Sequence, residues 1–140
     1  MSKSVQKLRS EALEVSQLLA RVSEANSQGV CKCVSCGKLI YWNECDGGHY
    51  IAKGKGGSNS WALDMRNIHP QCKGCNGFQM RYGNAEARYT FWMIRKYGVD
   101  LVEMMTFSNP VVKWYAFELE QLIKDRKIEI KKHKKRIGAK

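Results

Sequence analysis

Residues 33–36 read Cys33-Val34-Ser35-Cys36, and residues 67–76 read Asn67-Ile68-His69-Pro70-Gln71-Cys72-Lys73-Gly74-Cys75-Asn76. Each stretch holds two cysteines with two residues between them. That spacing lets both sulfurs point at one ion from a tight turn. Gly37, directly after the first pair, suits a turn that must bring backbone N–H groups toward sulfur. Cys33, Cys36, Cys72 and Cys75 together make the closed all-thiolate set of a structural zinc (Zn²⁺) site, not the open set of a catalytic one. The pairs lie further apart than in common zinc ribbons, so a segment is inserted between two knuckles. Cys31 and Cys45 are surplus. Cys31 lies close enough to Cys33 to be an alternative ligand, but both are expected as buried thiols without chemistry.

The metal reading requires reduced thiols. No apolar run approaches the roughly 18 residues needed to span a bilayer, and charges throughout the first twenty residues argue against a signal peptide. The expected location is the cytoplasm, where disulfides are rare. No membrane contact is expected. The chain has 140 residues, enough for one compact domain. Its 24 Lys and Arg against 13 Asp and Glu leave a formal +11, with a pI near 9.5. A domain this basic attracts polyanions, and DNA is the expected partner. Charge alone argues solubility as readily, so the assignment needs a site.

The segment between the knuckles offers one. Phosphodiester hydrolysis needs a base to activate water and a cation to bind the scissile phosphate and leaving oxygen, both along a cationic groove. His49, in Cys45-Asp46-Gly47-Gly48-His49-Tyr50, can be the base. Asp46 and Asn76 offer the hard oxygens that Mg²⁺ or Mn²⁺ takes, in the small number expected of an ion that keeps its waters. Asn76 follows Cys75 directly, so a zinc staple would fix it on the first turn of a helix. Ile40–Trp42 and His49–Ile51 read as short strands around a turn, and Lys53–Ser60 as a loop.

Three segments follow. Residues 1–29 form an N-terminal segment whose helix runs from Lys3 to Asn26. Val5, Leu8, Ala12, Val15, Leu19 and Val22 alternate three and four apart, the pattern of a packing stripe or of a homodimer seam. Residues 30–83 are the zinc-stapled core. Residues 84–140 are helical: Asn84 to Tyr97 with Gly98 after it, a short turn from Asp100 to Thr106, and a last helix capped by Asn109 with Pro110 at its first position. Lys124–Lys140 carries +7 of the total +11. Within it Lys124, Arg126, Lys127, Lys131, Lys132, Lys134, Lys135 and Arg136 are candidate phosphate contacts. A solvated, frayed terminus is the alternative reading.

The order Gly48-His49, Asn67-Ile68-His69 and Cys72-x-x-Cys75-Asn76 resembles the HNH nuclease pattern. Within that superfamily the knuckles, Asp46-x-x-His49-Tyr50 and the 67–76 stretch are most similar to the phage NinG/Rap recombination endonucleases, over most of the chain from about Cys31. A more distant likeness is to phage endonuclease VII. The resemblance implies an α+β fold: a ββα-metal (HNH-like) core with a four-cysteine zinc site and flanking α-helices. It implies a metal-dependent, structure-specific DNA endonuclease acting on branched recombination intermediates such as Holliday junctions or D-loops. It makes His49 the general base, Asn76 a metal ligand, and Asn67 the central asparagine that shapes the loop and orients the base. Gly48 departs from the pattern, which has Asp or His immediately before the base; Asp46, on the same face of an extended strand as residue 48, is the substitute. His69 is expected to be structural. The alternatives are a sequence-directed HNH endonuclease and a zinc-knuckle DNA-binding protein without catalysis. Branch preference rests on the resemblance alone.

Overall fold

The computed structural model describes residues 3–140; Met1 and Ser2, the start of the expected N-terminal segment, lie outside it. In chain order the elements are α1 (Val5–Glu24), β1 (Val30–Lys32), β2 (Leu39–Tyr41), β3 (Asp46–His49), β4 (Ile68–Gln71), α2 (Met80–Tyr82), α3 (Ala85–Tyr97), α4 (Val99–Phe107) and α5 (Ala116–Arg136). The fold is mixed α+β: five helices around two two-stranded antiparallel sheets, β1–β2 and β3–β4. Among the described residues, no helix is long and apolar enough to cross a membrane.

Ser4 starts α1 by accepting the Lys7 N–H on its hydroxyl at 3.2 Å, which satisfies one of the free donors of the first turn. Of the expected stripe, Leu8, Ala12, Val15, Leu19 and Val22 are buried, whereas Val5, at the start of the helix, is exposed. Its cover is α5 of the same chain, through Leu119, Ile123 and Ile130. The Lys-rich segment is therefore neither frayed nor wholly free. Arg126 donates to the Ser16 hydroxyl from within the helix–helix contact. Arg136 reaches the end of α1 and bonds the Val22 and Ala25 carbonyls, each at 3.0 Å. A cation on these last carbonyls also opposes the negative end of the α1 dipole.

A second cluster joins the inserted segment to the later helices. Val34, Tyr50 and Trp61 pack with Tyr89 and Met93 of α3 and with Val102 and Met105 of α4. The three segments expected from composition thus share their cores.

Two expectations are corrected. The strands expected at Ile40–Trp42 and His49–Ile51 are not partners around one turn. Leu39–Tyr41 pairs back to Val30–Lys32, with Cys31 opposite Ile40. The turn between them is the first knuckle itself, closed by Cys33 N–H to the Lys38 carbonyl at 2.8 Å. The strand carrying His49 ends there instead of beginning there, and it pairs with β4, His49 opposite Ile68. The second correction concerns Asn109 and Pro110, which start no helix. This segment lies against the loop before Trp61. The Ser108 carbonyl accepts the Trp61 indole N–H at 2.8 Å, and the Pro110 carbonyl accepts the Ser60 N–H at 2.9 Å. Val112 N–H reaches the Ser58 carbonyl at 2.9 Å. These tertiary bonds outweigh a local capping preference. The last helix begins at Ala116, where the Glu118 carboxylate accepts the Tyr115 N–H at 3.1 Å.

Leu119 is fully buried between α5 and α1. Leu119→Ala removes apolar contact and leaves a cavity, so it should cost about 2–5 kcal/mol of stability. Denaturant unfolding of the metal-loaded protein measures this; a loss below about 0.5 kcal/mol, the scale of an ordinary surface change, would show that α1 and α5 are not held together by this seam.

Candidate functional site: a four-cysteine cluster beside a histidine cleft

The four sulfurs of Cys33, Cys36, Cys72 and Cys75 all lie within 4.8 Å of one another. Cys36 Sγ and Cys72 Sγ are 3.8 Å apart, the edge expected of a tetrahedron with zinc–sulfur bonds of about 2.3 Å. Each knuckle turns an N–H onto its first sulfur: Cys36 N–H to Cys33 at 3.5 Å and Cys75 N–H to Cys72 at 3.4 Å. Burial works against ionising Cys33, yet N–H groups of Cys36, Cys72 and Ser35 outweigh it and bring the thiol down to about 7. The cluster can therefore hold a metal such as zinc. Among the described residues it is the one group of this kind. Cys31 and Cys45 stand outside it, buried, with their thiols on the carbonyls of Arg21 and Trp42. His69 is occupied elsewhere, its ring nitrogens on the Glu24 carboxylate at 2.7 Å and the Arg66 carbonyl at 2.9 Å.

The second knuckle closes directly on β4, and β4 pairs with β3, so the sulfur cluster fixes both strands. At the end of β3, His49 Nε2 lies 2.8 Å from the Ala62 carbonyl. A carbonyl can only accept, so this nitrogen carries the hydrogen and Nδ1 is left as the lone-pair atom. Burial holds the His49 pKa below its ordinary value of 6.5, Lys53 adds to the effect, and the Ala62 bond opposes it. The imidazole is neutral at pH 7 and basic at Nδ1.

Asn67 is fully buried and makes no approach to solvent. Its Oδ1 accepts the Ile51 N–H at 2.7 Å, and its Nδ2 donates to the carbonyls of Ile51 and Trp61 at 2.9 and 3.0 Å. It ties the chain leaving His49 to the chain supplying Ala62. Its role is positioning, through the loop that holds the imidazole.

Asp46 and Asn76 meet on the other side of β3. Asn76 Nδ2 donates to Asp46 Oδ2 at 3.0 Å, and Lys73 Nζ donates to Asp46 Oδ1 at 2.8 Å. Partial burial raises the Asp46 pKa, but Lys73 and Asn76 outweigh it and hold the carboxyl below its ordinary value. The group stays ionised. Asn76 stands on the π-type turn Cys75–Gln79, its N–H bonded to the Cys72 carbonyl at 2.9 Å.

The two glycines between these groups have steric causes. A Cβ on Gly47 would meet the Gln17 carbonyl at 2.6 Å, because α1 crosses β3 there. A Cβ on Gly48 would overlap the side-chain amide of Gln71 and stand 3.0 Å from Asn76 Oδ1. The carboxylate that the HNH pattern puts at this position has no room. Gln71 is fully buried, its Nε2 bonded to the Ser35 hydroxyl at 2.9 Å. Tyr89 fixes the same strand from α3, its hydroxyl donating to the Gly48 carbonyl at 2.8 Å.

His49 and Asn76 line one open cleft of about 950 Å³, with Gln17, Lys53, Phe78 and Arg81 also in its wall. Asp46 lines a smaller cavity of about 240 Å³ with Arg21 and Lys73, and Gln17, Gly47 and Asn76 border both. Gln17, Arg21, Lys53, Lys73 and Arg81 escaped the sequence reading. The paired glycines, which signal close approach of another backbone, were the one clue to Gln17. Of the expected phosphate contacts, Lys124, Lys131 and Lys135 are exposed, whereas Lys127 and Lys132 pair with Glu11 and Glu129. Lys134 stacks on Trp42, 5.4 Å from its ring centre.

Purified protein should contain one zinc per chain, and Cys75→Ser should lower both zinc content and thermal stability, because metal binding in such sites is folding energy. Elemental analysis beside a chelator-dependent melting curve is the measurement. A folded, zinc-free protein that melts unchanged in chelator would remove the cluster's structural role.

No curated protein and no solved structure matches the chain. The family model described as Bacteriophage Lambda NinG protein matches residues 3–136 of the 140. The chain belongs to the bacteriophage lambda NinG family and is a phage recombination-related protein.

Proposed function

We propose that the protein is a metal-dependent DNA endonuclease of the ββα-metal (HNH-like) type, with β3, β4 and the turn after Cys75 as its core. The observation that carries this reading is the His49 imidazole. It is held through Nε2 by the Ala62 carbonyl and kept neutral by burial, and it shares a cleft wall with Asn76. An imidazole in this state is a base for water at neutral pH.

The donor set beside it fits a hard divalent cation. An ionised carboxylate on Asp46 adjoins the Asn76 amide, whose Nδ2 is spent on Asp46, which leaves Oδ1 as the donor. Asp46 and Asn76 would hold Mg²⁺ or Mn²⁺ with water completing the shell. Bound there, the ion would supply charge neutralisation to a phosphodiester under attack. His49 Nδ1 takes a proton from water, and the hydroxide attacks phosphorus. The P–O3′ bond breaks, the departing 3′ oxygen takes a proton from solvent water, and the products are a 5′-phosphate and a 3′-hydroxyl. Asn67 acts upstream, through the loop that carries Ala62.

Charge supports DNA as the substrate. From the exposed lysines of α5, basic groups continue through Lys134, on the Trp42 ring, to Arg21, 5.9 Å from the same ring and in the wall of the Asp46 cavity. Branched recombination intermediates such as Holliday junctions or D-loops are the substrate class suggested by NinG family membership.

With Mg²⁺ or Mn²⁺ and a panel of linear, forked and four-way DNAs, the parental protein should nick the branched substrates. His49→Ala should abolish this, by about 10²-fold or more as expected for a lost general base, with DNA affinity and zinc content unchanged. Asn76→Ala should act in the same way. Because His49 is held below 6.5, the rate should be flat around neutrality and fall only under mildly acidic conditions, as a proton fills Nδ1. Parental-rate cleavage by the His49 variant would leave the site without its base. No cleavage by any protein on any DNA would leave a zinc-knuckle DNA-binding module.

Electrostatic binding is tested separately. Truncation after Ile123 would remove half the cover of α1, so substitution is the proper probe. Lys124, Lys131 and Lys135 changed together to Gln should flatten the dependence of log affinity on log salt. On duplex DNA the slope should change by about 0.9 for each phosphate no longer neutralised. An unchanged salt slope would exclude the outer face of α5 from the DNA path.

A further inference from the structure

Phe78 and Tyr82 are large aromatic residues left in water. Phe78 is 66% exposed and Tyr82 69%. They sit one helical turn apart, Phe78 on the turn Cys75–Gln79 and Tyr82 on α2. Their ring centres are 5.1 Å apart at an interplanar angle of 46°. Neither ring is among the buried or partly buried residues of the core clusters. It stands in the wall of the cleft that contains His49 and Asn76.

Its placement is fixed rather than incidental. Phe78 follows Asn76 by two residues, and Asn76 follows the cluster cysteine Cys75, so the metal cluster sets the position of the ring relative to the cleft. The surroundings are cationic: Arg81 lies 5.9 Å over the Tyr82 ring, and Lys53 lines the same wall, opposed by Glu86. An exposed aromatic face beside cations matches a nucleic-acid chain, in which flat bases alternate with phosphates. A paired base in a duplex keeps its faces covered by its neighbours. An unpaired base at a fork or junction has a face to offer.

We propose that Phe78 and Tyr82 form a stacking platform for an unpaired nucleobase next to the phosphate in the cleft, with Arg81 and Lys53 on the adjoining phosphates. This deepens the nuclease reading and rests on it for the meaning of the cleft. The preference for branched DNA is then built into the turn that also carries Asn76: the platform engages where the duplex opens, and the phosphate beside that base is the one presented to His49.

The test is binding at fixed salt with the full zinc-loaded chain and no added Mg²⁺ or Mn²⁺, so that the zinc stays in place and no cleavage occurs. The DNAs are a splayed fork carrying 2-aminopurine at the first unpaired positions and a linear duplex of the same length. Parental protein should quench the 2-aminopurine and prefer the fork. Phe78→Ala and Tyr82→Ala should each lose the quenching and weaken fork binding by about 5- to 100-fold, the range for loss of one base–aromatic stack. Duplex binding should be unchanged, and Phe78→Trp should restore the fork preference. Unchanged fork binding, or equal losses on both DNAs, would overturn the platform. So would a change in oligomeric state without a change in DNA binding, which would make the pair a protein contact. Because the readout needs no hydrolysis, a protein that stacks the fork base and never cuts would refute the nuclease reading and leave the platform standing.

Discussion

Four sulfurs within 4.8 Å of one another bring the turn between β1 and β2 to the end of β4, across a sequence separation of 36 positions from Cys36 to Cys72. The sheets on either side are two strands each, too small to stand alone in water. Ligation of one metal ion by the four thiolates would supply the tie that hydrophobic area here does not. It also sets direction, because Asn76 comes directly after Cys75, and Asp46 lies opposite Gln71, the residue before Cys72. The polar pair beside the cleft is therefore placed by the cysteines at both ends of its contact.

The second constraint is steric. Gly47 lets α1 pass over β3 at backbone contact, and Gly48 leaves room for the buried Gln71 amide. A side chain directly before His49 would have to displace the buried Gln71 amide, and the carboxylate that approaches Asn76 comes from Asp46 instead. His49, by contrast, is held by backbone: the Ala62 carbonyl orients it, and Asn67 holds that carbonyl's loop through main-chain bonds at Ile51 and Trp61. Such a site tolerates side-chain change in the loop more readily than change at Asn67.

Much of this was legible in the sequence wherever the deciding interaction is local. The three-four stripe from Val5 to Val22 gave α1 to within two residues at each end, and Gly98 ended α3 as expected. The knuckles were readable because two-residue spacing is itself a geometry. Pairings between distant segments were not readable. Three-residue strands carry no periodicity, so nothing assigned Leu39–Tyr41 to Val30–Lys32. Asn109-Pro110 has the local chemistry of a helix start, but Trp61 and Ser60 claim the neighbouring carbonyls. Lys124–Lys140 reads as a phosphate-contacting or solvated run because its charges surround Ile130, whose partners lie more than a hundred positions away on α1. The basic groups here, Lys53 and Arg81 in the cleft and Arg21 in the cavity beside it, come from three segments that only the fold brings together.

The pairing of α1 with α5 has a consequence for the order in which the molecule matures. Ser16 meets Arg126, and Val22 meets Arg136, so the first helix made is completed by the last. During translation, α1 emerges with its apolar stripe uncovered while the knuckles, the histidine strand and the asparagine turn follow it off the ribosome. Contacts this distant in sequence close late. Gln17, which presses on Gly47, lies on the helix that α5 covers. A chain terminated early in α5 keeps its cysteines and its histidine but loses Ile130 and Arg136 from the cover of α1.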